Sequence, residues 1–141
     1  MDIPFKKLSP DVKLPVFATP GSAAADVCSH EDLVLEPDHR SIVHTGFSCA
    51  VPEGYSLLVC SRSGMSLAGL VVANQPGIID SDYRGEVGVI LWNTSPVDRV
   101  ISKGGRIAQL LLVPAAQFSP IEVDDLGLTE RTGGFGSTGK S

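Results

Sequence analysis

Turn chemistry recurs so often along this chain that no long helix has room to form, and this limits the fold more than any other feature. Pro20-Gly21, Glu36-Pro37-Asp38, Pro52-Glu53-Gly54, Pro76-Gly77, Ser95-Pro96 and Gly104-Gly105 each interrupt a short apolar run. Proline fixes φ and lacks an N–H donor, while glycine opens positive φ, so such pairs end helices and strands alike. The runs between them predict strands around Phe5–Leu8, Ala24–Cys28, Leu33–Leu35, Ser41–Val51, Tyr55–Cys60, Val71–Ala73, Val87–Asn93, Arg99–Ile101, Ile107–Val113 and Ile121–Val123. Ile107–Val113 is continuously apolar except at Gln109 and reads as a strand buried on both faces. Only Ser63 to Leu70 has helical character, and Gly69 stops it within about two turns. Short strands with this punctuation predict an all-β sandwich, jelly roll or barrel.

The chain has 141 residues, 43% of them apolar and 19% charged, which suits one folded domain and excludes intrinsic disorder. That domain is expected over residues 1–128. Residues 129–141 are glycine-rich, hold Phe135 as their single aromatic, and read as a flexible C-terminal arm. No apolar run approaches the roughly 20 residues of a membrane span, and MDIPFKK lacks a signal-peptide pattern. The expected setting is therefore cytoplasmic, or nuclear in a eukaryotic host, without membrane contact. A net charge of −5 argues against direct nucleic-acid binding through a positive field. Cys28, Cys49 and Cys60 are odd in number and lie in apolar runs, so they read as buried thiols of a reducing compartment. His30, His39 and His44 lack metal-ligand spacing, and the Asn93-Thr94-Ser95 sequon reads as chance.

The chemistry concentrates in a few segments. Asn74 to Val89, NQPGIIDSDYRGEVGV, places Asn74, Asp80 and Tyr83 within ten positions and reads as a β-hairpin whose tip is a site. Cys60-Ser61-Arg62-Ser63-Gly64 lies where a strand gives way to the short helix; free N–H groups, the Arg62 fork and the Ser63 hydroxyl would suit an anion, and an ordinary Ser N-cap is an equal alternative. Gln109 sits inside the most apolar strand and must find a buried partner or face a cavity. Arg106, at that strand's start, reads as a structural ion-pair partner. Asp26 closes the small-residue turn Gly21-Ser22-Ala23-Ala24-Ala25. Arg131 precedes Gly133-Gly134-Phe135-Gly136, a backbone able to approach phosphates closely.

In this order the segments GSAAAD, SRSGMSL, NQPGIIDSDYRGEVGV, GGRIAQLLL and RTGGFGSTG resemble the five motifs of the trimeric deoxyuridine triphosphatases, or dUTPases, over nearly the whole chain. The resemblance implies a jelly-roll-like distorted β-barrel with one short helix, assembled as a homotrimer whose C-terminal arms close shared sites. It implies Mg²⁺-dependent cleavage of dUTP to dUMP and pyrophosphate, limiting uracil in DNA and supplying dUMP for dTTP synthesis. On the matching positions, Asp80 is the general base that activates water. Asn74 and the backbone of Gly77, Ile78 and Ile79 read uracil, and Tyr83 packs on the deoxyribose and excludes a 2′-hydroxyl. Arg62, Ser63, Gly64 and Gln109 hold the phosphates, Asp26 touches Mg²⁺ through water, Phe135 and Gly136 of the arm cover uracil, and Arg131 reaches the γ-phosphate.

Three departures from the family pattern stand out. Ala24 and Ala25 replace a Gly-Tyr pair before Asp26, Gly105 stands where an Asp usually precedes the Arg, and Arg131 lies four positions before Phe135 where five is usual. The missing Asp implies a missing local ion pair or hydrogen bond. Two other readings compete: a dCTP deaminase of the same superfamily, and a dUTPase-fold regulator that binds a protein partner.

Overall fold

The computed structural model describes residues 1–130; Arg131, Phe135 and Gly136 lie outside the described residues. Eleven strands and one helix follow in the order β1 (Phe5–Lys7), β2 (Ala25–Cys28), β3 (Leu33–Leu35), β4 (Arg40–His44), β5 (Phe47–Cys49), β6 (Tyr55–Cys60), α1 (Ser63–Leu67), β7 (Leu70–Val72), β8 (Gly77–Ile79), β9 (Gly88–Asn93), β10 (Arg99–Ile101) and β11 (Arg106–Pro114). The expected helix stops at Leu67, and Gly69 follows at φ +84°. The predicted run Ser41–Val51 is two strands because the chain turns at Gly46. Its φ is +75°, and a Cβ there would collide with Val12 and the His30 ring. Ile121–Val123 forms no strand: residues 115–130 are exposed throughout and add no ladder. Ile121 is 81% exposed and Val123 51%, and neither joins the core.

Four antiparallel sheets result: β2-β11-β6-β8, β4-β9-β7, β1-β5 and β10-β3. They do not close into one hydrogen-bonded barrel, so the expected barrel is a set of packed sheets. Between them lies one core, including Val27, Val43, Phe47, Leu91, Val89 and Ala108. The Phe5 and Phe47 rings meet edge to face at 5.4 Å, joining the β1-β5 ribbon to that core. Alternation along β9 is clean: Val89, Leu91 and Asn93 point inward, while Gly88, Ile90 and Trp92 are half-buried on the other face. Buried Asn93 donates to the carbonyls of Leu35 and Val97 at 2.8 Å, and its carbonyl accepts from Ser95. That amide is a structural tie, so the sequon is coincidental.

β11 is the central strand expected from its apolar run, flanked by β2 and β6, but only its first half is buried on both faces. The register against β2 slips between Arg106 and Ala108. A bulge of this kind turns two consecutive residues toward the same side, and Ile107 and Ala108 are indeed both buried. All three cysteines are free; Cys49 is buried, whereas Cys28 and Cys60 are half-buried rather than enclosed as expected. No helix among the described residues is long and apolar enough to cross a membrane.

Candidate active site

The segment Asn74–Val89 is not a β-hairpin. β8 pairs with β6, through Leu57↔Ile79, Leu58↔Ile78 and Val59↔Gly77, while β9 pairs with β4 and β7. The two arms belong to different sheets, and the loop between them bridges the sheets. It is too long for a tight turn, and each arm finds a more complementary neighbour elsewhere. β8 is also an edge strand, so its far edge has backbone donors and acceptors with no strand partner among the described residues.

Each residue of this loop has a local reason for its place. Gly77 is buried, and a Cβ there would lie 3.2 Å from Asn74 Nδ2 and 3.3 Å from Val59 Cβ, so a bare backbone brings Asn74 against the strand. Ile79 faces the core and Ile78 alternates outward, 65% exposed. The buried Ser56 hydroxyl donates to the Ile79 carbonyl at 2.9 Å, which pins the residue before Asp80. Asp80 itself is exposed, and its carbonyl accepts from the Tyr83 N–H at 3.2 Å. The Tyr83 ring folds back over Gly85, and its hydroxyl donates to the Glu86 carbonyl at 2.8 Å. The Glu86 carboxylate then accepts from Gly46 N–H at 2.8 Å and meets His44 Nδ1 at 3.0 Å. Asn74, Gly77, Ile78, Ile79, Asp80 and Tyr83 together line one cavity of about 180 Å³, with Glu86 and Ile90 in its wall.

A second, larger groove of about 760 Å³ gathers Asp26, Arg62, Ser63, Gly64 and Gln109, together with Arg106 and Gln75. Its centre is an ion-pair triad: Arg62 Nε donates to one Asp26 oxygen at 2.8 Å, and Arg106 Nη1 to the other at 3.1 Å. Arg106 is therefore the ion-pair partner its position suggested. The bulge in β11 makes this geometry. Arg106 pairs opposite Cys28 and Gln109 opposite Asp26, so residues three apart share a face that regular alternation would divide. Gly105 leaves no gap, because a Cβ there would fall 2.9 Å from the Ser102 carbonyl and its N–H donates to that oxygen. Two arginines against one aspartate give the groove a net positive centre.

Gln109 resolves its buried polarity by donating from Nε2 to the Ser61 carbonyl at 2.9 Å. The helix α1 is five residues long, its N-cap position is Arg62, and no side chain caps it. Ser63 is thus the first helical residue and not the cap. No residue lines both the 180 Å³ cavity and the 760 Å³ groove. Among the described residues, the expected site residues therefore gather in two separate clusters. Glu86, Gly85 and Gln75 were not singled out from the sequence, and Ser61 appeared there only within the Cys60–Gly64 segment. A glutamate between glycine and an apolar run was the only signal for Glu86, and nothing local marked the rest.

No three His, Cys, Asp or Glu side chains among the described residues gather to hold a metal. The donor set suits an ion that arrives already chelated: each Asp26 oxygen accepts one arginine and keeps lone pairs for a metal-bound water.

The chain is similar to known proteins over most of its length. The family model described as dUTPase matches residues 11–139. A deoxyuridine 5'-triphosphate nucleotidohydrolase of Hydrogenobaculum sp. is 44% identical over 142 residues, covering 99% of both chains. The enzyme of that name from Caulobacter vibrioides is 47% identical over 135 residues, covering 92% of this chain and 87% of its own. Among solved structures, a mutant dUTPase of phage 80alpha superposes with TM-score 0.90 at 30% identity, covering 97% and 98% of the two chains. Another 80alpha mutant, solved with dUpNHpp, gives TM-score 0.87 at 28% identity and covers 98% of each chain. A mutant dUTPase of Staphylococcus aureus phage phi11, whose structure concerns coordination of a structural Mg(II) ion, gives TM-score 0.80 at 27% identity, covering 89% of this chain and 99% of its own. The chain belongs to the dUTPase family.

Proposed function

We propose that this chain cleaves dUTP to dUMP and pyrophosphate, with Asp80 as the base that activates the attacking water. The observation that carries this reading is the cavity that holds Asp80, Tyr83 and the open edge of β8 together. Uracil's O4, N3–H and O2 alternate acceptor, donor, acceptor, and an unpaired strand edge offers the complementary sequence. The Gly77–Ile79 backbone and Asn74 read that edge, and tight walls leave no room for a 5-methyl group. Tyr83, fixed by its bond to the Glu86 carbonyl, occupies the space a 2′-hydroxyl would need. Asp80 takes a proton from water as oxygen attacks the α-phosphorus. The bond from that phosphorus to the bridging oxygen breaks, and pyrophosphate leaves.

The groove around Arg62, Ser63 and Gly64 holds the phosphates, with Gln109 supporting it through Ser61. Mg²⁺ chelated by the triphosphate would supply charge neutralisation of the leaving group, and Asp26 would hold it through water. Separation of cavity and groove in one chain supports a site shared between copies in a trimer. Exposed apolar side chains in residues 115–130 support the same assembly: Phe118 is 87% exposed and Leu126 94%. The roles of Arg131 at the γ-phosphate and of Phe135 and Gly136 at uracil rest on the family resemblance alone, because these residues lie outside the described ones. With bacterial relatives and a free nucleotide as substrate, the setting is the cytoplasm. Family membership leaves the deaminase reading without support.

Mg²⁺-dependent pyrophosphate release measured with dUTP, UTP, dTTP and dCTP tests the proposal. Release from dUTP alone is expected; equal release from dTTP would refute uracil reading by the β8 edge.

A further inference from the structure

We propose that Gln75 is a positioning residue for the phosphate-binding loop, held out from the uracil-side turn to fix the Ser61 peptide. The inference rests on the assignment of the Arg62 groove to phosphate.

Ser61 is tied at each of its polar groups. Its N–H donates to Gln75 Oε1 at 2.9 Å, its carbonyl accepts from Gln109 Nε2 at 2.9 Å, and its hydroxyl accepts from Val72 N–H at 2.7 Å. Ser61 immediately precedes Arg62, Ser63 and Gly64, all of which line the groove. Beyond these ties, the Arg62–Asp26 ion pair at 2.8 Å is the main anchor of the segment. The helix that continues it has no buried residue and no side-chain cap, so apolar packing supplies only the partial burial of Met65. A loop with so little buried surface takes its geometry from polar ties, and removing one lets the peptide plane rotate.

The placement of Gln75 is specific. Asn74 lines the small cavity, while Gln75, the next residue, lines the phosphate groove. One turn therefore sends consecutive side chains into the two clusters. In the shared-site assembly, a bound base that settles the turn also settles the phosphate donors that the same chain offers to a neighbouring site. Gln75 touches no reacting atom in this reading; it acts through Ser61.

The test compares wild type, Gln75→Met, Gln75→Glu and Arg62→Gln by calorimetric binding of dUpNHpp and deoxyuridine, with hydrogen exchange of the Ser61 amide. Methionine keeps the length and removes the acceptor, and the exposed position tolerates it. Gln75→Met is expected to weaken dUpNHpp by about three- to tenfold, the effect of one hydrogen bond, and leave deoxyuridine within twofold. Ser61 exchange should accelerate in Gln75→Met and return toward wild type in Gln75→Glu, whose carboxylate still accepts. Equal weakening of both ligands would make Gln75 a general structural residue and overturn the proposal. So would unchanged dUpNHpp binding in Gln75→Met alongside weakened binding in Arg62→Gln. If Arg62→Gln also binds dUpNHpp normally, the phosphate assignment itself is wrong, and the proposal falls with it.

Discussion

Gly85→Ala separates specificity from stability and follows directly from the geometry of Tyr83. An alanine Cβ at position 85 would lie 2.6 Å from Tyr83 Cζ and closer still to its Oη. No real side chain tolerates that approach, so the ring must leave. Tyr83 is 45% exposed, and its ring can swing into solvent without disturbing the core. The loss is then the hydroxyl's bond to the Glu86 carbonyl, worth about 0.5–1.5 kcal/mol. Gly85 does not have positive φ, so alanine also removes unfolded-state entropy worth about 0.4–1 kcal/mol in the opposite direction. The two nearly cancel, and the melting temperature should move by no more than about 5 °C. Discrimination should not survive, because the wall against a 2′-hydroxyl is gone. The ratio of kcat/KM for dUTP over UTP should fall about tenfold or more, the range expected when a pocket loses one close steric contact. Steady-state pyrophosphate release on both nucleotides, with a thermal melt on the same preparation, provides the measurement. An unchanged ratio with a normal melt would show that Tyr83 does not discriminate the sugar.

Three further outcomes follow from the same geometry. Asp80→Asn should keep dUpNHpp affinity within a few-fold and lose at least about 100-fold in kcat; turnover near wild type would remove Asp80 as the base. Deleting residues 130–141 removes no described strand, so the melt and the oligomeric mass should persist while hydrolysis falls, and an unaltered rate would make the arm dispensable. Burial pushes the Cys49 thiol pKa up, with Arg84 only partly offsetting it, so alkylation by iodoacetamide should reach Cys28 and Cys60 first. Labelling of Cys49 at their rate, read by mass spectrometry, would contradict its enclosure.

Much of the fold was legible because turns and β-branched runs act locally. The elements β3, β6, β9 and β10 lie where alternation and punctuation put them. Errors arose where a partner outside the local stretch decides. Thr45-Gly46 breaks a long apolar run because Val12 and His30 crowd that point from elsewhere in the chain. Ile121–Val123 has strand composition yet no neighbour among the described residues to pair with. Similarly, two apolar arms around one loop look like a hairpin, but pairing depends on which neighbour each edge meets.

By itself the sequence determined the kinds of chemical group available and their order: a carboxylate, an aromatic and a bare backbone in one segment, arginine, hydroxyl and glycine in another. Residue type is covalent, and motif spacing survives any packing. Tertiary structure alone decided how those groups meet. A one-residue bulge in β11 turns Arg106 and Gln109 to the same face as Asp26, which strand alternation cannot predict. Pairing β8 with β6 leaves an open backbone edge beside Asp80, where a hairpin would have closed it. The Tyr83 ring is held by a glutamate whose carboxylate bonds Gly46, 40 residues away along the chain. Each of these depends on contacts distant in sequence, which local propensity does not encode.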